Sequence, residues 1–275
     1  MNSFPPFPQE QARIGLLGLA YDESSSYLRG PALAPQRIRE AFFCDSSNLW
    51  TENETFLGAE GIFADAGDLS PSLGTMPAEV ERAAGDVHAA GLKLFAFGGD
   101  HSVTYPLVRA AAKHYPDLSI LHFDAHPDLY DNFENNPYSH ASPFTRIMES
   151  RLVKRLVQVG IRTMNGHQRE QAKRFGVEVL TMQAWRDVFD LKFETPLYLT
   201  FDMDCLDPAY APGVSHHEPA GLSSREALSV IQALRTPIVA ADLVEYNPTR
   251  DPSGVTAMVC AKIFKEIVAK MLEQR

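Results

Sequence analysis

Residues 118–128 have the sequence LSILHFDAHPD, a short apolar run followed directly by a cluster of polar side chains. An apolar run of this length is typical of a buried strand in a parallel sheet. Similar runs alternate with segments in which apolar residues recur at helical spacing, and this alternation indicates βαβ units. The predicted strands cover residues 13–19, 92–97, 118–123, 156–161, 196–201 and 237–241, with a possible further strand at 177–181.

Helical patterns fill most of the intervals between these strands. Two local signals support them: Ser223 and Glu226 have the spacing of a capping box, and Gly176 follows Phe175 where a helix should end. The predicted helices cover residues 35–43, 77–90, 103–113, 165–175, 223–234 and 256–272.

The alternation predicts a single α/β domain over residues 1–275, with three layers (α/β/α) and a mostly parallel sheet. Residues 45–76 are rich in Ser, Gly and Pro, so we expect a loop there with a short strand near 61–64. The sequence has no internal repeat and no composition shift that would mark a linker.

The composition excludes several classes of protein. The 275 residues are 45% hydrophobic and 22% charged, which is typical of a globular chain and not of a disordered one. A formal net charge of −10 argues against nucleic acid or an anionic membrane as the main partner. Three widely spaced cysteines fit reduced thiols better than a disulfide framework. We therefore expect a cytoplasmic protein with no nucleic-acid or membrane partner.

Four of the predicted strands are followed by polar residues. Ligands of open parallel sheets bind outside the carboxyl ends of the strands, so these residues are the first candidates for a site. Side chains two residues apart in extended backbone point the same way, which favours a shared cavity. The polar segments are GGDHS at 98–102, DAHPD at 124–128, DMD at 202–204 and, after the last strand, Glu245.

The carboxylates in these segments require a counter-charge. Without one they would repel each other and take up protons, and two divalent cations would remove that cost. Carboxylates with His101 and His126, and no cysteine, suit manganese, while iron, cobalt, nickel and zinc stay as alternatives. Two such ions about 3.5–4 Å apart would supply a hydroxide for hydrolysis. The four carboxylates are Asp124, Asp128, Asp202 and Asp204.

Each motif also has a simpler interpretation. The GGDHS segment could be a tight turn that caps a helix, and D-x-H-x-D could be a surface ion-pair cluster. Their occurrence together at successive strand ends favours a site over these alternatives. Outside the motifs, His216 and His217 could be ligands, proton carriers or parts of a polar loop. We interpret the remaining candidates as structural: Cys205, His88, His114 and His122.

The motifs together resemble the ureohydrolases, the family of arginases and agmatinases. The similarity extends from the first predicted strand to the last helix, and several stretches look closest to plant-type arginases, such as YSHAS at 138–142. It implies an arginase-like fold and hydrolysis of a guanidinium C–N bond with release of urea. The segments that carry it are GGDHS, DAHPD, FDMDCLDP at 201–208 and VEYNP at 244–248.

The resemblance also implies roles for individual residues. Two Mn²⁺ per subunit would be bound, with Asp124 and Asp202 bridging them. One ion would be held by His101, Asp124, Asp128 and Asp202, and the other by Asp124, His126, Asp202 and Asp204.

The same resemblance implies the catalytic and substrate contacts. Asp128 would orient the hydroxide, Glu245 would pair with the planar guanidinium, and His140 would protonate the departing amine. Candidates for contact with the tail of the substrate are Asn135, Asn136, Tyr138, Ser139, His216 and Glu218.

The motifs do not decide which group the substrate carries beyond its guanidinium, so several substrates stay as alternatives. Animal-type arginases have an acidic residue after the strand that corresponds to LVQVGI, whereas Thr163, Met164 and Asn165 follow Arg162 here. We place L-arginine slightly ahead of agmatine, with other guanidino compounds as further alternatives. A homo-oligomer, trimer or hexamer, is implied. A single-zinc deacetylase-like enzyme and a non-catalytic binding protein on the same fold are the remote alternatives.

Overall fold

A parallel sheet forms the centre of the protein, for which a computed structural model describes residues 3–273. Its strands follow the order β2-β1-β3-β8-β7-β4-β5-β6, and each pair of neighbours is parallel. The strands are β1 (Ile14–Leu19), β2 (Phe63–Leu69), β3 (Lys93–Phe97), β4 (Ser119–Phe123), β5 (Arg155–Ile161), β6 (Glu178–Thr181), β7 (Leu197–Asp202) and β8 (Ile238–Val244).

Helices cover both faces of the sheet. The α-helices are α1 (Ala34–Phe42), α2 (Met76–Ala89), α3 (Thr104–His114), α4 (Pro143–Glu149), α5 (Gly166–Phe175), α6 (Ser224–Ala233) and α7 (Val255–Glu273). Buried side chains of α1, α6 and α7 belong to one apolar cluster, and those of α2, α3, α4 and α5 belong to the other. The protein therefore has the predicted three-layer α/β/α architecture. None of the described helices has the length and apolar character needed to cross a membrane.

The central strands are buried on both faces, as expected for a parallel sheet covered by helices. Along β7, Leu197, Leu199 and Phe201 belong to one cluster, whereas Tyr198 belongs to the other. The α7 side of the sheet is filled by aromatic rings, with Phe264 packed 4.7 Å from Phe95 between ring centroids. This packing fixes the central strands, and so it fixes the edge at which their polar carboxyl ends meet.

The predicted strands all occur, including the seventh near residues 177–181, and they carry the predicted parallel pairing. Strand β2 begins at Phe63 and is longer than the expected short strand near 61–64, because its pairing with β1 extends to Leu69. Helix α4 was not predicted, since its seven residues are too few to show a helical period. The single domain over residues 1–275 stays a prediction, which the one continuous sheet supports.

The capping box at the start of α6 is present as predicted. Ser223 Oγ accepts a hydrogen bond from the Glu226 N–H, and the Glu226 carboxylate accepts one from the Ser223 N–H. We expect Ser223→Ala to lower the free energy of unfolding by about 1 kcal/mol, because one helix donor loses its partner. Urea denaturation measures this loss, and Ser223→Thr, which keeps the hydroxyl, is the control. Equal losses in both variants would contradict the capping role.

Candidate metal centre and active site

The predicted ligands come together at the carboxyl ends of adjacent central strands. Strands β3, β8, β7 and β4 are consecutive in the sheet, so the segments that follow them share one edge. Six side chains that the sequence identified meet there: His101, Asp124, His126, Asp128, Asp202 and Asp204. Most of them are almost fully buried, which is unusual for charged side chains unless they are paired or bind a metal.

One group of donor atoms surrounds the imidazole of His101. Its Nδ1 lies 3.2 Å from Asp124 Oδ2, 3.1 Å from Asp128 Oδ2 and 3.1 Å from Asp202 Oδ2. None of these contacts is a hydrogen bond, so Nδ1 is a buried nitrogen without a hydrogen-bond partner among the described residues. The other nitrogen, Nε2, is 3.1 Å from Thr200 Oγ1. Nδ1 and three carboxylate oxygens therefore lie together around one position that a cation could occupy.

A second group of donor atoms surrounds His126. Its Nδ1 lies 3.3 Å from Asp124 Oδ1 and 3.1 Å from Asp204 Oδ2. Asp124 thus gives one oxygen to each group, and its Oδ1 also accepts the backbone N–H of His126 at 2.7 Å. The second oxygen of Asp202 accepts the backbone N–H of Asp204 at 2.8 Å, and only the first lies beside a histidine of the two groups. The geometry accordingly supports a bridging position for Asp124, and bridging by Asp202 stays a prediction.

The electrostatics of the two groups favour a bound cation. Burial, followed by the charges of Asp204 and Asp124, raises the pKa of Asp202 well above its usual range. Burial also raises the pKa of Asp204 to about 6, despite the opposing effect of His126. Positive ions between the carboxylates would remove this penalty and would give the lone pair of His101 Nδ1 a partner. The donor set therefore fits a pair of divalent cations.

Glu245 and His140 form a buried pair beside the predicted metal ligands. His140 Nδ1 lies 2.9 Å from Glu245 Oε1, which also accepts the backbone N–H of His101 at 2.9 Å. The second oxygen of Glu245, Oε2, has no hydrogen bond to a described residue, and Glu245 lines the central cavity. A free carboxylate oxygen at this position can accept N–H donors from a planar cation.

His140 has a raised pKa and hydrogen-bond partners at both ring nitrogens. Burial lowers its pKa, but attraction to Glu245 and the hydrogen bond between them outweigh burial and raise the pKa to about 9. On the other side of the ring, Nε2 lies 2.8 Å from Ser26 Oγ. The segment that carries Ser26 is held by Asp100, whose Oδ2 accepts the Ser24 N–H at 2.9 Å. Nε2 also accepts the Ser26 N–H at 3.2 Å, so hydrogen bonds hold both ring nitrogens of His140.

Two of the site carboxylates have unusual backbone conformations. Asp128 has φ 46° and Glu245 has φ 62°, both in the left-handed region that residues with a β-carbon rarely adopt. Each such conformation costs on the order of 1–3 kcal/mol and persists where the surrounding structure enforces it. Strain of this kind occurs often at catalytic sites. Both strained residues, Asp128 and Glu245, line the cavity.

A cavity of about 210 Å³ opens above the cluster. Its floor includes Asp128, Asp202, Asp204 and Glu245, and His216 lies on its rim, 5.3 Å from His140 between ring centroids. Burial, and then the charge of His140, lowers the pKa of His216, so this imidazole is neutral at pH 7. His126 and His140 also line the cavity, and the other lining residues are uncharged: Ser26, Tyr130, Phe133, Ala141, Thr163, Asn165 and Gln168.

Several residues predicted to contact the substrate tail do not form part of this wall. Their polar atoms are used inside the loop instead: Asn136 Oδ1 accepts the Tyr138 N–H, and Ser139 Oγ accepts the Ala141 N–H. Glu218 lies at the edge, with Oε1 3.8 Å from His126 Nε2. Five residues predicted to contact the substrate tail do not line the cavity: Asn135, Asn136, Tyr138, Ser139 and Glu218. Their contact with the substrate stays a prediction.

Sequence reasoning missed several residues of the wall. Thr163 and Asn165 follow β5, so the rule used for the other strand ends applied to them as well. Ser26 carried no such signal, because it reaches His140 through a loop that Asp100 anchors from a distant part of the chain. Tyr130 is placed by a hydrogen bond from Asn165 Nδ2 to its hydroxyl, 2.7 Å long.

A three-layer α/β/α fold with a buried carboxylate–histidine centre at its strand ends is typical of a metal-dependent hydrolase. Comparison with known proteins defines the class further: the model of the arginase family matches residues 12–269. This chain therefore belongs to the arginase family, whose members are hydrolases acting on guanidino compounds.

Individual relatives extend this finding. An arginase from Arabidopsis thaliana is 44% identical over 286 residues, which cover 95% of this chain and 82% of the relative. The solved structure of an arginase from Medicago truncatula matches with a TM-score of 0.91 and 43% identity, over 95% of this chain and 88% of that one. An agmatinase from Neisseria meningitidis is 35% identical, over 97% of this chain and 89% of the relative.

Proposed function

We propose that this protein is a manganese-dependent ureohydrolase that converts L-arginine to ornithine and urea. The observation that carries the proposal is the pair of donor groups that share Asp124, placed next to a free oxygen of Glu245 and the imidazole of His140, whose pKa is raised. Cation ligands, an acceptor for a guanidinium and a proton donor are the three elements that this hydrolysis needs.

The two cations would occupy the two donor groups. His101, Asp124, Asp128 and Asp202 would hold one ion, and Asp124, His126, Asp202 and Asp204 would hold the other. When bound, the ions neutralise the carboxylates and activate water for hydrolysis near neutral pH. Manganese is preferred because the donors are carboxylates and imidazoles without thiolates.

The chain's own residues orient the substrate and move protons. Glu245 Oε2 accepts N–H bonds from the guanidinium and holds its carbon over the cluster. Asp128, at the cavity floor, accepts a hydrogen bond from the attacking water and so directs it. His140 donates a proton to the leaving nitrogen, which departs as an amine, and it is then reprotonated from solvent.

The relatives favour L-arginine as the substrate, since the arginase from Arabidopsis thaliana is more similar to this chain than the agmatinase from Neisseria meningitidis. Agmatine is the second candidate. The uncharged wall supports it, because no lysine or arginine lines the cavity within the described residues to pair with an α-carboxylate. Neutral donors on the wall, such as Gln168, would have to bind that group in arginine.

Steady-state kinetics with the two substrates test the assignment. We expect kcat/KM for L-arginine to exceed that for agmatine by at least about tenfold, which corresponds to about 1.4 kcal/mol. The measurement is urea release by the manganese-loaded protein at matched concentrations of each substrate. Equal values would contradict the arginine assignment and indicate a site that recognises little beyond the guanidinium, and a preference for agmatine would select the second candidate.

Two further expectations belong to the proposal. Assembly into a homo-oligomer, trimer or hexamer, is checked by light scattering on the purified protein. A reducing compartment such as the cytoplasm fits the three cysteines, none of which forms a disulfide within the described residues. The relatives from Arabidopsis thaliana carry mitochondrial and chloroplastic names, so fractionation of cells that express the protein is the deciding measurement.

A further inference from the structure

A chain of buried polar groups lies behind Asp124, on the side away from the cavity. His122 Nε2 is 2.8 Å from Asp124 Oδ2, and Gln158 Nε2 is 3.1 Å from His122 Nδ1. The same amide nitrogen donates to the carbonyl oxygen of Pro127 at 2.7 Å. His122 and Gln158 are register partners on β4 and β5, and both are fully buried with Asp124.

The hydrogen bonds in this chain fix the protonation state of the ring. A carbonyl oxygen only accepts, so the bond to Pro127 requires the nitrogen of the Gln158 amide at that end. The other hydrogen of that nitrogen then points at His122 Nδ1, which must accept it and therefore carries no proton. The ring proton is on Nε2, where it is donated to Asp124.

By distance alone, His122 could be either a metal ligand or a hydrogen-bond donor to Asp124, and the position of the ring proton decides between these two roles. His101, His122 and Asp124 lie close enough together to bind one ion among them. A nitrogen that carries a proton has no lone pair for a metal, so His122 cannot be a ligand while Gln158 donates to it. The ring also has little freedom to turn, because Phe144 packs 4.0 Å from it between ring centroids.

We propose that His122 and Gln158 are positioning residues that aim the shared carboxylate of the metal centre. The N–H of His122 holds Asp124 Oδ2 toward His101, while the backbone N–H of His126 donates to Oδ1 on the other side of the carboxylate. Gln158 donates to His122 Nδ1, which keeps the ring proton on Nε2. It also donates to the carbonyl oxygen of Pro127, which lies between His126 and Asp128. The proposal rests on the proposed function, because it assumes that the donor groups bind cations.

Two substitutions of His122 test the proposal with a matched control. In His122→Asn the shorter amide ends near the Nδ1 position and cannot reach Asp124, whereas in His122→Gln it ends near Nε2 and keeps a donor there. Outer partners of metal ligands typically contribute about 10–100-fold to metal affinity, and we expect a loss of that size in His122→Asn alone. The measurement is Mn²⁺ titration of chelator-treated protein by calorimetry, with circular dichroism to confirm folding.

Each outcome of the titration has a definite meaning. Wild-type affinity in His122→Asn, or an equal loss in His122→Gln, would overturn the positioning role. Failure of the wild-type protein to bind two Mn²⁺ would instead count against the proposed function itself. If His122→Asn does not fold, ¹⁵N NMR of histidine-labelled wild-type protein loaded with Zn²⁺ decides the question. The proposal requires the His122 proton on Nε2, and a proton on Nδ1 with metal at Nε2 would overturn it.

Discussion

Asp124→Ala should lose both metal ions and should release urea at less than about a hundredth of the wild-type rate, the largest effect expected from any substitution in this protein. The reason is that Asp124 gives one oxygen to the group around His101 and the other to the group around His126, at 3.2 Å and 3.3 Å. Alanine removes both contacts at once, and it leaves the remaining carboxylates facing each other without the ligand that links them.

Metal content and activity must be measured together on the same preparation of this variant. Asp131→Ala is the matched control, because it removes the same charge from the same loop at an exposed position, where Asp131 Oδ1 lies 3.2 Å from His167 Nε2 and accepts the Asn132 N–H. The control should keep two ions per subunit and full activity. If Asp124→Ala kept both ions, or more than about one hundredth of the activity, the shared-ligand assignment would be wrong.

His140→Ala should lower kcat by about 10²–10⁴-fold while it leaves the metal content unchanged. His140 contacts Glu245 and Ser26, and none of its hydrogen bonds is to a predicted metal ligand. Its loss therefore removes the proton for the leaving nitrogen without removing a ligand. Added imidazole should restore part of the rate, since a small acid can diffuse into the space that the ring leaves.

His217→Ala is the matched control for this second prediction. His217 is an exposed histidine of the neighbouring loop, and its Nε2 lies 2.8 Å from the Pro212 carbonyl oxygen. This variant should turn over arginine at the wild-type rate. A loss of Mn²⁺ from His140→Ala would contradict the proton-donor role, because it would mean that the ring is part of the metal centre.

The sheet and the clustering of the carboxylates and histidines could be predicted because both depend on local patterns. A buried strand is an apolar run, and the edge where ligands bind follows from the direction of the strands. Asp124 and Asp202 lie directly at two such strand ends, so position in the sequence was enough to identify them. The spacing of Asp124 and His126 then indicated the chemistry.

The walls of the cavity could not be predicted in the same way, because loops are shaped by long-range contacts. Ser26 is placed by a loop that depends on Asp100, and Asn136 closes its own loop by accepting the N–H of Tyr138. No single-strand pattern contains these partners. His122 was interpreted as structural for a related reason: its neighbours along β4 are apolar, and its partner Gln158 lies on another strand.

Urea release from L-arginine, measured before and after metal removal, shows whether the hydrolysis depends on the metal ions. The protein is treated with a chelator, divided, and assayed with and without added Mn²⁺ on the same day. We expect rapid urea release from the Mn²⁺-loaded sample, with one ornithine formed per urea, and almost none from the metal-free sample. Equal urea release from both samples, or none from L-arginine and agmatine in the presence of Mn²⁺, would contradict the proposed metal-dependent ureohydrolase.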